Sequence, residues 1–130
     1  MPRDESLYPP DWLRIAEKDW KRVARLLEDN DAEAAGFYLQ QAVEKFLKAF
    51  LLSKGWQLVR IHDLEALLND ALLHDTTLEK FRDECIKISG YYMADRCPPL
   101  TDNSFSVEDV RQSLAAITPM IEELRFAIAA

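Results

Sequence analysis

Glycine is scarce in this chain, with three in 130 residues, and the six prolines fall mostly where elements would begin or end. Few positions can therefore break a regular backbone, and long helices are expected. Cysteine is limited to Cys85 and Cys97, with no C-x-x-C pair and no histidine at ligand spacing. That composition excludes a disulfide scaffold and a thiolate zinc site, and it predicts two reduced thiols in a cytoplasmic protein. No stretch approaches the roughly 20 apolar residues that a membrane helix needs. The start, Met1 to Ser6, leads into no apolar run, so no secretory leader is expected. Basic excess is also missing. The formal net charge is −7, which excludes nucleic-acid binding through bulk electrostatics and confines any RNA contact to a small local site. Glycine-rich phosphate loops, metal-ligand clusters and serine or cysteine triads are absent as well, so no cofactor is expected.

What remains is amphipathic helix. With 48 % hydrophobic and 30 % charged residues the chain reads as one globular domain over residues 1–130. Its pattern predicts an all-α fold, an antiparallel up-down bundle of about five helices. The first helix runs from an Asp11 cap to about Asp29, on the stripe Trp12, Ala16, Trp20, Val23 and Leu27. Asn30-Asp31 forms the turn. The second runs from about Ala32 to Lys54 and stops at Gly55. Its core face is Ala35, Leu39, Val43, Phe46 and Phe50, and its opposite side carries Phe37, Gln41, Glu44 and Lys48. A phenylalanine on that polar side implies a second packing surface, and a homodimer would supply one. The third helix starts near His62-Asp63, buries Leu64, Leu67, Leu68 and Ala71, and ends near His74. The fourth carries Leu78, Phe81, Cys85, Ile88 and Tyr92, with Arg96 next on the stripe, and ends at Pro98-Pro99. The fifth opens with a capping-box-like Ser106 and Asp109 and continues through Val107, Val110, Leu114, Ile117, Ile121, Leu124 and Ile128. Pro119, inside that run, should bend it.

The candidate functional residues are few. Arg96 sits at a helix C-terminus, where it complements the dipole and pairs with a carboxylate such as Asp95 or Asp102. Read instead as the continuation of an apolar stripe, its guanidinium must meet an anion, and a phosphate between packed helices would serve. His62 beside Asp63 is a helix-opening position that also offers an imidazole. Gln41, Glu44, Lys45 and Lys48 form a polar ridge, either solvated or bordering a binding cleft. Tyr91, Tyr92 and Trp56 pack in the core or stack on bases.

The order of these pieces carries a resemblance. Gln40-Gln41-Ala42-Val43-Glu44-Lys45-Phe46-Leu47-Lys48-Ala49, then His62-Asp63-Leu64 with its leucines, then Tyr92 and Arg96 ahead of Pro98, together resemble the HEPN family of small helical domains. The resemblance covers Trp12 to about Leu124. It implies an accessory or toxin-like protein that works with a minimal nucleotidyltransferase and binds that partner or a nucleotide near the end of the fourth helix. The ligand or partner residues it points to are Arg96, Tyr92, Gln41, Glu44, Lys45 and Lys48. Ribonuclease members of that family follow their arginine, four to six residues on, with a histidine. Here Leu100, Thr101, Asp102 and Asn103 occupy that window and no histidine follows His74. A general acid–base group contributes roughly 10²–10⁴ in rate, so the resemblance does not extend to a competent ribonuclease site. The alternatives are an active metal-independent ribonuclease with a rearranged site built from Arg96, Tyr92 and His62, or a non-catalytic dimeric scaffold. Phe46 and Leu114, each mid-stripe in a long helix, are both expected to lose about 2–5 kcal/mol on truncation to alanine.

Overall fold

The computed structural model describes residues 6–96 and 105–129, apart from the side chains of residues 93–96. It contains α1 (Pro9–Glu28), α2 (Ala32–Ser53), α3 (Leu64–Ala71), a 3₁₀ helix (Thr76–Phe81), α4 (Arg82–Arg96) and α5 (Val107–Ala129). Among the described residues there is no strand, and the fold is an all-α helical bundle as the pattern predicted. Among them, too, no helix is long and apolar enough to cross a membrane.

Local chemistry sets the boundaries. Pro9 and Pro10 occupy the first turn of α1, where a missing N–H costs nothing, and Tyr8 is the residue before it. Asp11 is therefore inside the helix and not its cap. Its carboxylate instead accepts the Ser6 hydroxyl at 2.7 Å, a bond that holds the acid below the usual carboxylate range. Asn30 takes a left-handed backbone (φ 58°) between α1 and α2, and Asp31 caps α2 by accepting the Ala34 amide at 3.1 Å. Gly55 (φ 85°) follows the end of α2. Asp63 caps α3 and Asp75 caps the 3₁₀ helix, each accepting an amide two residues on at 3.0 Å. At α5 the expected capping box is present: Ser106 and Asp109 exchange bonds of 2.8 and 3.0 Å. The helix continues unbroken through Pro119.

The bundle is organised around α2. Its 22 residues span about 33 Å, and α1, α3, α4 and α5 all pack against it. Leu39, Val43, Phe46 and Phe50 are buried as expected, but so are Ala42, Leu47 and Leu51 on other faces. Wrapping by four helices leaves α2 little free surface, which overturns the reading of Glu44 and Lys48 as a solvated ridge: both are 3 % exposed. Leu64, Leu67, Leu68 and Ala71 of α3 are all buried. Arg82 ties the short elements together, reaching Glu65 (2.8 Å), Glu79 (2.6 Å) and Asn69 (2.8 Å).

Helix four begins later and differently than its stripe suggested. Leu78 and Phe81 lie in the 3₁₀ helix, and only from Arg82 is the chain α-helical. The buried residues of the two elements are Leu78, Phe81, Cys85, Ile88 and Tyr91, with Tyr92 only half-buried. Burial pushes the Cys85 thiol up to about 12, so it is protonated at neutral pH. The Tyr91 hydroxyl meets Ser113 Oγ at 2.8 Å, and burial raises its pKa also. In α5 the buried line runs through Val110, Ser113, Ile117, Met120, Ile121 and Leu124, while Leu114 stands half-exposed beside it.

Two outcomes follow for urea denaturation. Phe46→Ala should cost about 3–5 kcal/mol, since the side chain is fully buried and its loss leaves a cavity. Leu114→Ala, at a half-exposed site, should cost less than half as much; equal losses would contradict this packing. Gly36 faces the Phe105 ring, where an added Cβ would lie 2.7 Å from Cε2 and 3.1 Å from Tyr91 Cγ. Gly36→Ala should therefore destabilise by about 1–3 kcal/mol through overpacking, and a neutral or stabilising effect would show that Phe105 is loosely seated.

Candidate functional site

Gln40, Glu44 and Lys48 recur every fourth residue, so one face of α2 carries a polar ladder. All three are buried. Charges taken out of water are costly unless each polar atom is met, and here they are met in order. Glu44 Oε1 accepts Gln40 Nε2 at 3.1 Å and lies 3.1 Å from His62 Nδ1, while Glu44 Oε2 accepts Lys48 Nζ at 3.0 Å. Gln40 Nε2 also donates to the His62 carbonyl at 2.9 Å, and its Oε1 accepts Gln41 Nε2 at 2.7 Å. Lys48 Nζ sits 5.4 Å from the centre of the Trp12 ring, a cation–π contact that caps the ladder on the α1 side.

The ladder ends at an imidazole. His62 precedes the Asp63 cap of α3, so it lies at the helix entrance and not within the helix. Its side chain is 55 % exposed. With a carboxylate opposite Nδ1, that nitrogen carries the proton in the neutral ring, and Nε2 is left as the acceptor. The ring stacks on Tyr92 (centroids 5.2 Å apart, 13° between planes), and Tyr92 stacks in turn on Phe37 (5.8 Å, 21°). Phe37 then meets Tyr38 edge-on at 5.3 Å. A column of rings from α2, α4 and the α3 entrance thus backs the imidazole. The second packing surface that Phe37 implied is supplied within the chain, by Tyr92.

The structure therefore brings together four of the sequence-derived candidates, Glu44, Lys48, His62 and Tyr92, with Gln41 at their edge. Lys45 is elsewhere. It points to α1 and pairs with Asp19 at 2.6 Å, and Asp19, 2 % exposed, also accepts Arg22 at 2.9 Å. Arg96 is the last residue of α4, four positions after Tyr92, so it belongs to the Tyr92 side of the helix. Its side chain lies outside the described residues, as do Cys97, Pro98, Pro99 and Asp102, and with them the expected pairing of Arg96. Gln40 and Asp19 were not singled out from the sequence. The four-residue spacing to Glu44 and Lys48 would have found the first. The second lies between Ala16 and Val23 on the α1 stripe, at spacings of three and four, and that placement would have found it. Among the described residues, no group of three or more metal-ligating side chains gathers.

Comparison with known proteins bears on this architecture. The crystal structure of TT1696 from Thermus thermophilus superposes with a TM-score of 0.80 at 23 % identity, covering 92 % of this chain and 97 % of that one. At that identity the likeness is one of fold. No curated protein sequence matches. The profile described as HEPN domain matches residues 10–126, which takes in nearly all of the bundle and the whole polar ladder. With a match of that extent, the chain belongs to the HEPN domain family.

Proposed function

We propose that this HEPN protein binds a nucleotide at the His62–Tyr92 edge of the ladder and works beside a minimal nucleotidyltransferase. The observation that supports it is the buried Glu44, tied to Gln40 and Lys48, holding a half-exposed imidazole flat against a tyrosine. Buried polar groups that orient one exposed side chain are a feature of sites more than of plain cores. Rings presented at a surface stack on nucleobases, a contact worth about 1–3 kcal/mol per base. Lys48 is committed to Glu44, so phosphate recognition falls to Arg96, one turn beyond Tyr92, through charge-assisted bonds. The partner protein would complete the site from the same side, in a cytoplasmic, homodimeric assembly.

Titration calorimetry of the purified chain with adenosine mono- and triphosphate tests the reading. His62→Ala should weaken binding by about 5- to 100-fold, the equivalent of one lost stack, and Tyr92→Ala, which removes the ring that backs the imidazole, should weaken it as well. Both variants should also lose some thermal stability, so binding is read at a temperature where both are folded. No binding by the parent chain, or affinity untouched by both substitutions, would sink it. The reading also requires a neighbouring open reading frame to encode a minimal nucleotidyltransferase, and a pull-down of that protein should succeed with the parent chain and fail with Arg96→Ala.

One observation favours a second reading, a metal-independent ribonuclease with a rearranged site. His62 Nδ1 is held by a carboxylate while Nε2 is left to act, as a general base requires, and the ring is already beside Tyr92. With chelator present, RNA cleavage by the chain should be weak or absent; robust cleavage abolished by both His62→Ala and Glu44→Gln would promote this reading over the first.

A further inference from the structure

The C-terminal half of α5 keeps one side uncovered. Pro119, Glu122 and Phe126 follow one another at spacings of three and four, so they share a side of the helix, and all three are exposed. Phe126 is 69 % exposed, and Leu73, two residues before the Asp75 cap, is 83 % exposed; among the described residues these are the two most exposed large hydrophobic side chains. An open groove of about 710 Å³ lies where α5 meets the start of the 3₁₀ helix, lined by Asp75, Pro119, Glu122, Glu123, Phe126 and Ala127. Half of that lining is apolar and half is acidic. Over residues 75–81 and 119–129 the carboxylates are Asp75, Glu79, Glu122 and Glu123, and the cations are Lys80 and Arg125. Glu79 is taken by Arg82 at 2.6 Å and Arg125 by Glu17 at 2.7 Å, which leaves three carboxylates and one lysine at the groove. Lys80 reaches Glu123 Oε2 at 3.4 Å, an exposed pair that contributes little. Asp75 spends only Oδ1, on Thr77, and among the described residues neither Asp75 nor Glu122 has a cation within ion-pair distance. Arg111, further up the same helix, is about 12 Å before Pro119. The last turn of α5 carries no basic residue, so the negative end of its dipole adds to the acidic field.

We infer that this groove docks a short basic amphipathic helix of a partner protein, with an apolar anchor against Phe126 and Pro119 and lysines or arginines facing Glu122 and Asp75. An exposed aromatic within an apolar patch marks a contact surface, and the carboxylates around it select the sign of the partner's charge. The same charge argues against a second copy. A two-fold contact centred on the groove would set Glu122 and Glu123 against their own counterparts, and like charges at close quarters cost free energy. Polyanions are repelled for the same reason. Among the described residues no strand offers an edge for an extended peptide to pair with, so the helix-in-groove mode is the one the fold can serve. Pro119 to Ala127 spans about 12 Å, the length of about two turns of a docked helix. Pro119 also has no N–H to give the carbonyl of Ala115, an exposed residue one turn earlier, which leaves an acceptor for a partner's cation at that end. No residue of the groove belongs to the polar ladder or the ring column, so the inference stands apart from the nucleotide reading.

Fluorescence anisotropy of the whole chain with a labelled peptide of about 14 residues, lysine-rich and with leucines at i, i+4 and i+7, tests it. A scrambled peptide of the same composition, its leucines spread around the helix, is the control for charge alone. Phe126→Ser should weaken binding of the patterned peptide by about 10- to 100-fold, as loss of a central anchor does. Glu122→Lys should weaken it by about 3- to 10-fold and reduce its salt dependence. Both sites are exposed, so both variants should melt with the parent chain. Glu28→Lys, the same charge change at an exposed position of α1, should leave binding unchanged. No binding of the patterned peptide, equal binding of the scrambled one, or an equal loss with Glu28→Lys overturns the docking groove. So does a mass that doubles with concentration in sedimentation of the parent chain but not of Phe126→Ser, which would give the face to a second copy. The two proposals fail separately: peptide binding without nucleotide binding refutes the stacked site alone, and the converse refutes the groove alone.

Discussion

A helix buried on nearly every side, yet carrying an ion pair, is the constraint on which this fold turns. Central helices usually avoid charge, because desolvating a carboxylate or an ammonium costs several kcal/mol each. Glu44 and Lys48 are tolerated only as a set with Gln40 and His62. Lys48 neutralises one carboxylate oxygen, and Gln40 with the imidazole engages the other. That set also fixes the neighbours. Gln40 binds the His62 carbonyl and so secures the loop before α3, while Lys48 under Trp12 secures the start of α1. Removing one partner would strand a buried charge, whereas replacing the whole set by apolar residues would restore packing and lose the imidazole's orientation. What the set adds beyond packing is one fixed orientation of the His62 ring.

The same economy recurs on the α1 side. Asp19 is as buried as Glu44 and has two cations, Lys45 from α2 and Arg22 from its own helix. Arg22 also lies over the Tyr38 ring at 5.2 Å, next to the Phe37–Tyr92–His62 column. The surroundings of the two buried carboxylates are thus linked through aromatic rings.

Helix number, helix length and most of the core were legible in the sequence because they follow from periodicity. Leu64, Leu67, Leu68 and Ala71, or Val43, Phe46 and Phe50, can only be read one way. The site was less legible, for a physical reason. Periodicity assigns a residue to a face but not the face to solvent, and on a helix wrapped by four others the polar face is also inside. Glu44 and Lys48 therefore looked like an ordinary exposed pair until the positions of α1 and α3 were known. Tyr92 shows a second cause. The buried face of α4 is wider than a single 3-4 stripe, so Tyr91 is buried with Cys85 and Ile88 while Tyr92, at helical spacing from Ile88, is half-buried at its edge. The bond between His62 and Glu44 joins residues 18 apart across a loop, and no local pattern encodes that distance.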